Sequence, residues 1–343
     1  MKRSLFIALV VLTFVLTSPF AFAQLSPSAD WATHVANEYR MVPNVTYLTA
    51  GGIDVKLDVY QKRNVTTPQP TLLYMHGGFW VAGNKEAAIL NVLPWMEMGW
   101  NVVNVEYRLG PVAQAPAALE DCLCALRYIA APAQVMNYNI DVNRIVVMGE
   151  SAGGHLALSL GMIPDSAGLD LECAGGPLPK VAAVLNWFGI TDVGDVIDGP
   201  NRAAAAARWF GSMPNRMEIA KRVSPMTYVR NGLPPILTIH GDADRTVNPV
   251  NSDHVVAQAR PNAALTEVVS HGKTPGGMAY TRTVQLDTAG REILEQWVLH
   301  GVGHAWSGGS ASGSYTDARG PDASREMIRF FLAHASTKDA TRH

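Results

Sequence analysis

The chain has 343 residues and a formal net charge of −2 at neutral pH, from 27 basic and 29 acidic side chains. Because this balance leaves no excess of positive charge, it argues against a nucleic-acid partner. Hydrophobic residues make up 48% of the sequence and charged residues 16%, which predicts an extensive buried core and excludes a disordered chain.

The N-terminus has the three sections of a secretory signal peptide. Lys2 and Arg3 form a charged start, residues 5–16 an apolar run, and Ala21 and Ala23 a small-residue cleavage site. The apolar run is shorter than the roughly 18 residues expected of a membrane span. We therefore predict that residues 1–23 are a signal peptide and that residues 24–343 form a single domain. The mature protein should be secreted or periplasmic and lack a membrane span.

Strands and helices alternate through the first half of the mature chain. Two strands, 43–50 and 53–60, are joined by Gly51-Gly52, a dipeptide that suits a hairpin turn. The next predicted elements are a strand at 71–75, a helix at 85–98, a strand at 101–107 and a helix at 116–131. This alternation predicts an α/β fold with a mainly parallel central sheet and helices on both faces.

Residues 144–157 read as a short buried strand that runs directly into a helix. Between the two lies the pattern G-x-S-x-G, with Gly149, Ser151 and Gly153 at its fixed positions. Both glycines stand where a Cβ would strike the adjoining strand or helix, which leaves Ser151 at the apex of a tight turn. The stretch therefore predicts a nucleophile elbow.

The second half continues the alternation and then departs from it. Residues 180–188 and 235–239 are predicted strands, 251–260 a helix, and 192–226 a cap insertion of two or three short helices. Residues 280–286 and 291–300 both alternate polar with apolar side chains around the turn residues 287–290, which predicts an antiparallel hairpin. A closing helix is predicted over 322–335.

A serine hydroxyl is a weak nucleophile that needs an imidazole base, itself oriented by a carboxylate. Two carboxylates, Asp242 and Asp244, follow the strand at 235–239, and two imidazoles, His300 and His304, follow the hairpin. The order Ser, Asp, His is the one expected of an α/β-hydrolase triad. Residue types alone leave the choice within each pair open.

Backbone N–H donors for an oxyanion are also present in the sequence. Ala152 begins the elbow helix, and Gly77 and Gly78 allow a substrate oxygen to approach the backbone closely. We expect His76 to hold this loop in place by hydrogen bonding, and His155, inside the elbow helix, to be structural.

Five segments resemble α/β-hydrolase esterases of the hormone-sensitive-lipase and bacterial feruloyl-esterase-like type. They are residues 76–80, 106–109, 141–144, 149–157 and 240–247. Residues 303–309 and 320–327, with the preceding hairpin, are similar instead to polyhydroxybutyrate-depolymerase-like esterases.

The resemblance implies an α/β-hydrolase fold with Ser151 as nucleophile, Asp244 as triad acid and His304 as base. It also implies that the N–H groups of Gly77, Gly78 and Ala152 form the oxyanion hole, and that Asp242 has a structural role in its loop.

The predicted substrate is an uncharged ester, because no cluster of basic residues accompanies the catalytic segments. Aromatic side chains at the expected catalytic edge predict a pocket lined by Phe79, Trp80, Trp187, Phe188 and Trp306, although some of them could instead pack the cap. Small acyl esters, aryl esters and acetyl or feruloyl groups on plant polysaccharide all remain open as substrates. The alternatives are a polyester depolymerase, an arylformamidase, and a catalytically silent binding protein with this fold.

The sequence gives little support for a bound cofactor and leaves the presence of a disulfide open. The histidines are scattered and no HExxH or paired-cysteine pattern occurs, so we expect neither a metal nor an organic cofactor. Cys122 and Cys124 point to different faces of a predicted helix. Cys173 could therefore bridge to one of them, or all three could be buried free thiols.

Overall fold

The computed structural model describes residues 27–259, 265–311 and 315–335, so the predicted signal peptide lies outside the described residues. The described part of the chain contains two units. The smaller is a helix that the sequence did not predict, α1 (Pro27–Glu38), with Asp30 in its first turn, where a negative charge favours the helix dipole. The larger unit begins at Tyr39.

The larger unit is built on a sheet of ten strands within the described residues. They are β1 (Tyr39–Ala50), β2 (Ile53–Lys62), β3 (Gln69–Met75), β4 (Asn101–Val105), β5 (Ile140–Glu150), β6 (Ala183–Trp187), β7 (Ile236–Gly241), β8 (Thr266–Lys273), β9 (Ala279–Leu286) and β10 (Glu292–Leu299). Their order is β1-β2-β4-β3-β5-β6-β7-β10-β9-β8. Pairs from β4 through β10 are parallel, and those toward both edges are antiparallel.

Helices connect the parallel strands, and the central strands β4 and β6 are buried along their whole length. The helices are α2 (Ile89–Glu97), α3 (Ala117–Ala130), α4 (Pro132–Tyr138), α5 (Ala152–Met162), α6 (Val193–Asp198), α7 (Ala204–Phe210), α8 (Arg216–Val223), α9 (Val250–Ala259) and α10 (Ala323–Ala335). Strands buried on both faces require a helical layer on each side. The predicted α/β class with a mainly parallel sheet is confirmed.

Two connections carry functional side chains to one edge of the sheet. Helices α6, α7 and α8 occupy the predicted cap region between β6 and β7. The predicted hairpin forms from β9 and β10, and Asp287 at its turn accepts hydrogen bonds from the N–H groups of Ala289 and Arg291, both at 2.9 Å. Because β10 then runs parallel to β7, the residues after both strands meet at the same edge.

Strand β8 is an addition that the sequence analysis missed. It pairs antiparallel with β9 and lies at the edge of the sheet, with almost every residue exposed. A strand without a buried face has no alternation of apolar and polar residues to reveal it.

The structure also shows which cysteines form a disulfide. A disulfide joins Cys124 to Cys173, and Cys122 is a buried free thiol. The bridge links α3 to the segment between α5 and β6. Within the described chain, no helix has the length and apolarity needed to cross a membrane.

Candidate active site

Ser151 lies at a sharp turn between β5 and α5, with φ 56° and ψ −119°. Few residues other than glycine adopt such angles, so the surrounding structure must hold the turn in place. A Cβ on Gly149 would lie 2.4 Å from the carbonyl of Gly153, and a Cβ on Gly153 would lie 2.1 Å from the Met75 oxygen. Both positions therefore require glycine, as an elbow of this kind demands.

The loops after β7 and β10 bring Asp244 and His304 together, with 2.7 Å between Oδ2 of Asp244 and Nδ1 of His304. The Asp244 carboxylate also accepts hydrogen bonds from the N–H groups of Thr246 at 2.7 Å and Val247 at 3.0 Å. Burial by itself raises the pKa of this carboxyl group, but hydrogen bonds from His240 and His304 outweigh it and hold the pKa well below its usual range. Asp244 is therefore ionised and fixes Nδ1 of His304 as the protonated nitrogen.

Ser151 and His304 lie at the same edge of the sheet, after β5 and β10, which β6 and β7 separate. The N–H of Ser151 donates to the carbonyl of Trp187 at 2.9 Å, and the ring of the following residue, Phe188, lies 4.1 Å from that of His304. Among the described residues, neither the Ser151 hydroxyl nor Nε2 of His304 has a hydrogen-bond partner. Catalytic hydrogen bonds of this kind often tighten only when substrate binds.

Residues 76–80, which include two of the predicted oxyanion donors and are called the oxyanion loop below, follow β3 and are anchored by an aromatic contact. The His76 and Tyr107 rings stack 4.4 Å apart, and the Tyr107 hydroxyl donates to the His76 carbonyl at 2.8 Å. Nδ1 of His76 donates to the Gly77 carbonyl at 2.7 Å, which confirms that this histidine holds the loop. Gly78, Phe79 and Trp80 all have positive φ.

The structure of this loop contradicts one of the three predicted oxyanion donors. The Gly77 N–H already donates to Oε1 of Glu150 at 3.2 Å, so it is not available to a substrate oxygen in this structure. A Cβ on Gly78 would lie 2.0 Å from the Ala82 oxygen, so that position must be glycine. Within the described residues, the N–H groups of Gly78 and Ala152 have no acceptor and remain candidates.

The predicted aromatic lining of the substrate pocket is wrong at three of its five positions. Trp80, Trp187 and Phe188 are buried and do not line an open pocket. Trp80 stacks on Trp209 of α7 at 4.3 Å and donates its indole N–H to Nδ1 of His155 at 3.0 Å. It therefore packs the cap onto the elbow helix. Phe79 is partly exposed and, with Trp306, is what remains of the predicted aromatic lining.

The loop that carries His304 is held by a pair of indole rings. Trp306 is partly exposed and stacks on Trp187 at 4.7 Å. The Trp187 indole N–H also donates to the Ala305 carbonyl at 3.3 Å. These contacts hold Ala305 and Trp306 at the end of β6.

His155 is structural, as expected. Its Nδ1 accepts from Trp80, and its Nε2 donates to the Val223 carbonyl at 2.7 Å. Burial lowers the pKa of this imidazole to about 4. It is therefore neutral at physiological pH and links the elbow helix to α8.

Two residues at the site were not assigned roles from the sequence. His240 places Nε2 3.2 Å from Oδ2 of Asp244, and Glu150 binds the oxyanion loop. His240 belongs to the segment 240–247 that carried the resemblance, so a signal for it existed. Glu150 occupies the unspecified position of the elbow pattern, which gave no signal.

Comparisons with known proteins give a family and a set of relatives. The family model described as BD-FAE matches residues 57–258. Esterase LipC of Mycobacterium tuberculosis is 31% identical over 198 residues, covering 55% of this chain and 48% of LipC. Esterase LipQ of the same organism is 25% identical over 233 residues, covering 66% of this chain and 54% of LipQ. The chain thus spans about half the length of these curated relatives.

Solved structures show the same fold. A truncated form of a carbohydrate esterase from gut microbiota has a TM-score of 0.64 and 23% identity, covering 88% of this chain and 98% of that one. Thermogutta terrifontis esterase Est2 has a TM-score of 0.61 and 20% identity, covering 87% of this chain and 93% of that one. At these identities, the likeness establishes an α/β-hydrolase fold.

Proposed function

This chain belongs to the BD-FAE family of feruloyl-esterase-like α/β hydrolases, and from that premise we propose that it is an exported serine carboxylesterase acting on uncharged esters. The observation that carries the proposal is the ionised Asp244 hydrogen-bonded to His304, at the sheet edge where the elbow holds Ser151 in a strained conformation. Esterases among the relatives support the same reaction class.

In the proposed mechanism, Oγ of Ser151 attacks the ester carbonyl while Nε2 of His304 accepts its proton. His304 then returns the proton to the leaving alcohol, and a water molecule hydrolyses the acyl-enzyme by the reverse sequence. Asp244 keeps the imidazole in the required tautomer and stabilises its protonated form. The N–H groups of Gly78 and Ala152 stabilise the oxyanion, and each such donor contributes about 3 kcal/mol to the transition state.

Acetyl or feruloyl groups on plant polysaccharide are the proposed natural esters. A carbohydrate esterase among the structural neighbours supports this substrate class. The partly exposed rings of Phe79 and Trp306 could contact an aryl group or a sugar ring.

Export is supported by two separate features. Residues 1–23 have the composition of a signal peptide. The Cys124–Cys173 disulfide is of a kind that persists in oxidising compartments outside the cytoplasm.

The direct test is Ser151→Ala, assayed with p-nitrophenyl acetate and with acetylated xylan and feruloylated oligosaccharides. We expect kcat/KM to fall by about 10⁴-fold or more, because the nucleophile is removed. A fluorophosphonate probe should label the wild-type protein at Ser151 and leave the variant unlabelled.

Ser159→Ala is the matched control, since this buried serine lies on α5, the helix that Ser151 precedes, and its hydroxyl donates only to the His155 carbonyl at 2.8 Å. It should keep wild-type turnover and labelling. Undiminished ester turnover in Ser151→Ala would overturn the proposal. Release of soluble products from a polyester film at rates comparable to small esters would favour a depolymerase instead.

A further inference from the structure

Glu150 directly precedes the nucleophile, and its carboxyl group joins the elbow to the oxyanion loop. Oε1 accepts the Gly77 N–H at 3.2 Å, and Oε2 is hydrogen-bonded to the Tyr74 hydroxyl. The Asn91 amide donates to the Tyr74 hydroxyl at 2.7 Å and lies 3.4 Å from Oε2. Strand β3, the loop after it and helix α2 therefore all meet at this one carboxyl group.

Among the described residues, no cation pairs with the Glu150 carboxyl group. The side chains facing it are those of Tyr74 and Asn91, with Trp187 beside it on β6, and of these only Tyr74 can titrate. Within the described part of the chain, no lysine, arginine or histidine forms an ion pair with Glu150. Glu150 as a whole is partly exposed, whereas burial is the largest influence on its carboxyl group, whose two oxygens are both hydrogen-bonded within the protein.

An enclosed carboxyl group without a cation favours its neutral form. Burial raises the pKa of Glu150 to about 8, against the smaller opposing effect of the hydrogen bond from Gly77. With Oε2 protonated, Oε1 still accepts from the Gly77 N–H, and the carboxyl group and the Tyr74 hydroxyl remain hydrogen-bonded to each other. This arrangement gives both carboxyl oxygens of Glu150 a hydrogen-bond partner without placing a charge beneath the oxyanion loop.

The charge state of Glu150 matters because a proposed oxyanion donor and the proposed nucleophile lie close to it in the chain. Gly78, a candidate oxyanion donor, is the next residue after Gly77, and Ser151 is the next residue after Glu150. A negative charge at Glu150 would oppose the negative charge that develops on the substrate oxygen, in surroundings that screen it poorly.

We propose that Glu150 is a positioning residue that, as a neutral carboxylic acid, fixes the oxyanion loop to the elbow, and that its ionisation slows the reaction at alkaline pH. This inference rests on the proposed esterase function. It adds a proton-dependent limit that the triad alone does not provide.

The test is Glu150→Gln, because glutamine keeps the carbonyl acceptor of the neutral acid and replaces its O–H donor with an NH₂ group, but cannot ionise. The kcat/KM for p-nitrophenyl acetate would be measured from pH 6 to pH 10, corrected for spontaneous hydrolysis. In the wild type we expect a fall that reaches about tenfold at pH 9, from a group that titrates near pH 8. Glu150→Gln should keep wild-type activity at pH 7 within about threefold and lose the fall.

Two further variants separate positioning from general stability. Glu150→Ala leaves the Gly77 N–H without its acceptor, so we expect kcat to fall about tenfold or more at pH 7 with little change in KM. Glu292→Gln is the matched control, since burial and the neighbouring Glu295 also raise the pKa of Glu292, but this residue lies on β10. It should retain the alkaline fall.

The outcomes distinguish this inference from the proposed function. An alkaline fall that persists in Glu150→Gln, or that disappears in Glu292→Gln, would overturn the role of Glu150 while leaving Ser151-dependent turnover intact. Ester turnover that does not depend on Ser151 would overturn the proposed function itself.

Discussion

Two pairs of aspartate and histidine lie at the same edge of the sheet, on the same two loops. The inner pair joins Asp244 to His304 at 2.7 Å, and the outer pair joins Asp242 to His300 at 2.8 Å. Each contact links a carboxylate oxygen to Nδ1, so the two pairs have nearly the same geometry. They differ in burial, because the Asp244 side chain is 0% exposed and that of Asp242 is 40% exposed.

The surroundings of each pair account for the difference. His304 packs against Phe188, and the neighbouring Trp306 stacks on Trp187, so the inner imidazole is held at the end of β6 near the elbow. Because the Asp244 side chain is buried, its negative charge stabilises a protonated imidazole more strongly than it would at the surface.

The outer pair serves the loop itself. Nε2 of His300 contacts the Thr281 hydroxyl at 2.9 Å, and Asp242 accepts the Gly301 N–H at 2.7 Å. These bonds fix the end of β10 on the adjacent strand and loop. An exposed pair of this kind typically contributes less than about 1 kcal/mol to stability. An Asp-His contact distance is therefore insufficient to identify a catalytic pair.

Replacing each histidine by alanine in turn gives the largest expected difference in activity between the inner and outer pairs. We expect His304→Ala to lower kcat/KM for p-nitrophenyl acetate by about 10⁴-fold or more, because Ser151 loses its general base. His300→Ala should change it by less than about threefold, since only a surface contact is lost. Equal losses in the two variants, measured on folded protein by circular dichroism, would show that the distinction between the pairs is wrong.

Substitutions of the two carboxylates should differ in activity in the same direction as those of the two histidines, but by a smaller factor. Asp244→Asn keeps the shape of the side chain but no longer stabilises the charged imidazole or its tautomer, so we expect a loss of about 10³ to 10⁴-fold in kcat. Asp242→Asn, at the exposed position, is the matched control and should retain at least about a third of the activity. A large loss in Asp242→Asn would assign a catalytic role to the outer pair.

Part of the fold could be predicted from the sequence because short-range rules govern it. Gly149 and Gly153 are required by atoms within the elbow and the adjacent strand, and Asp287 forms its turn with residues four or fewer positions away. Such local constraints leave a readable pattern in the sequence. The choice of Asp244 and His304 over their neighbours came from the resemblance, since the residue types alone do not distinguish the two pairs.

The remaining features depend on contacts between distant segments. Trp80 is adjacent to Phe79 in the sequence, and only the backbone of the loop, with positive φ at both residues, determines which ring is buried. Cys124 rather than Cys122 forms the disulfide because of how the segment carrying Cys173 approaches α3. Glu150 gains its role only when β5 ends beside the loop that follows β3.

Acid stability gives the smallest expected contrast between the pairs. The pKa of Asp244 is depressed in the folded state, so its ionised form stabilises the fold above its ordinary pKa of about 4, and that contribution is lost as the pH falls below this value. At pH 7, Asp244→Asn should therefore lower the free energy of unfolding by about 2 kcal/mol, and the gap from the wild type should narrow between about pH 4 and pH 2.

Urea unfolding at each pH would measure this gap. Asp242→Asn should differ from the wild type by less than about 0.5 kcal/mol at neutral pH, because solvent screens the exposed pair. If both variants lost stability equally and with the same pH dependence, burial would not distinguish the inner carboxylate from the outer one. A gap confined to Asp244→Asn would instead indicate that the fold contributes to keeping this carboxylate charged, as the proposed reaction requires of its triad acid.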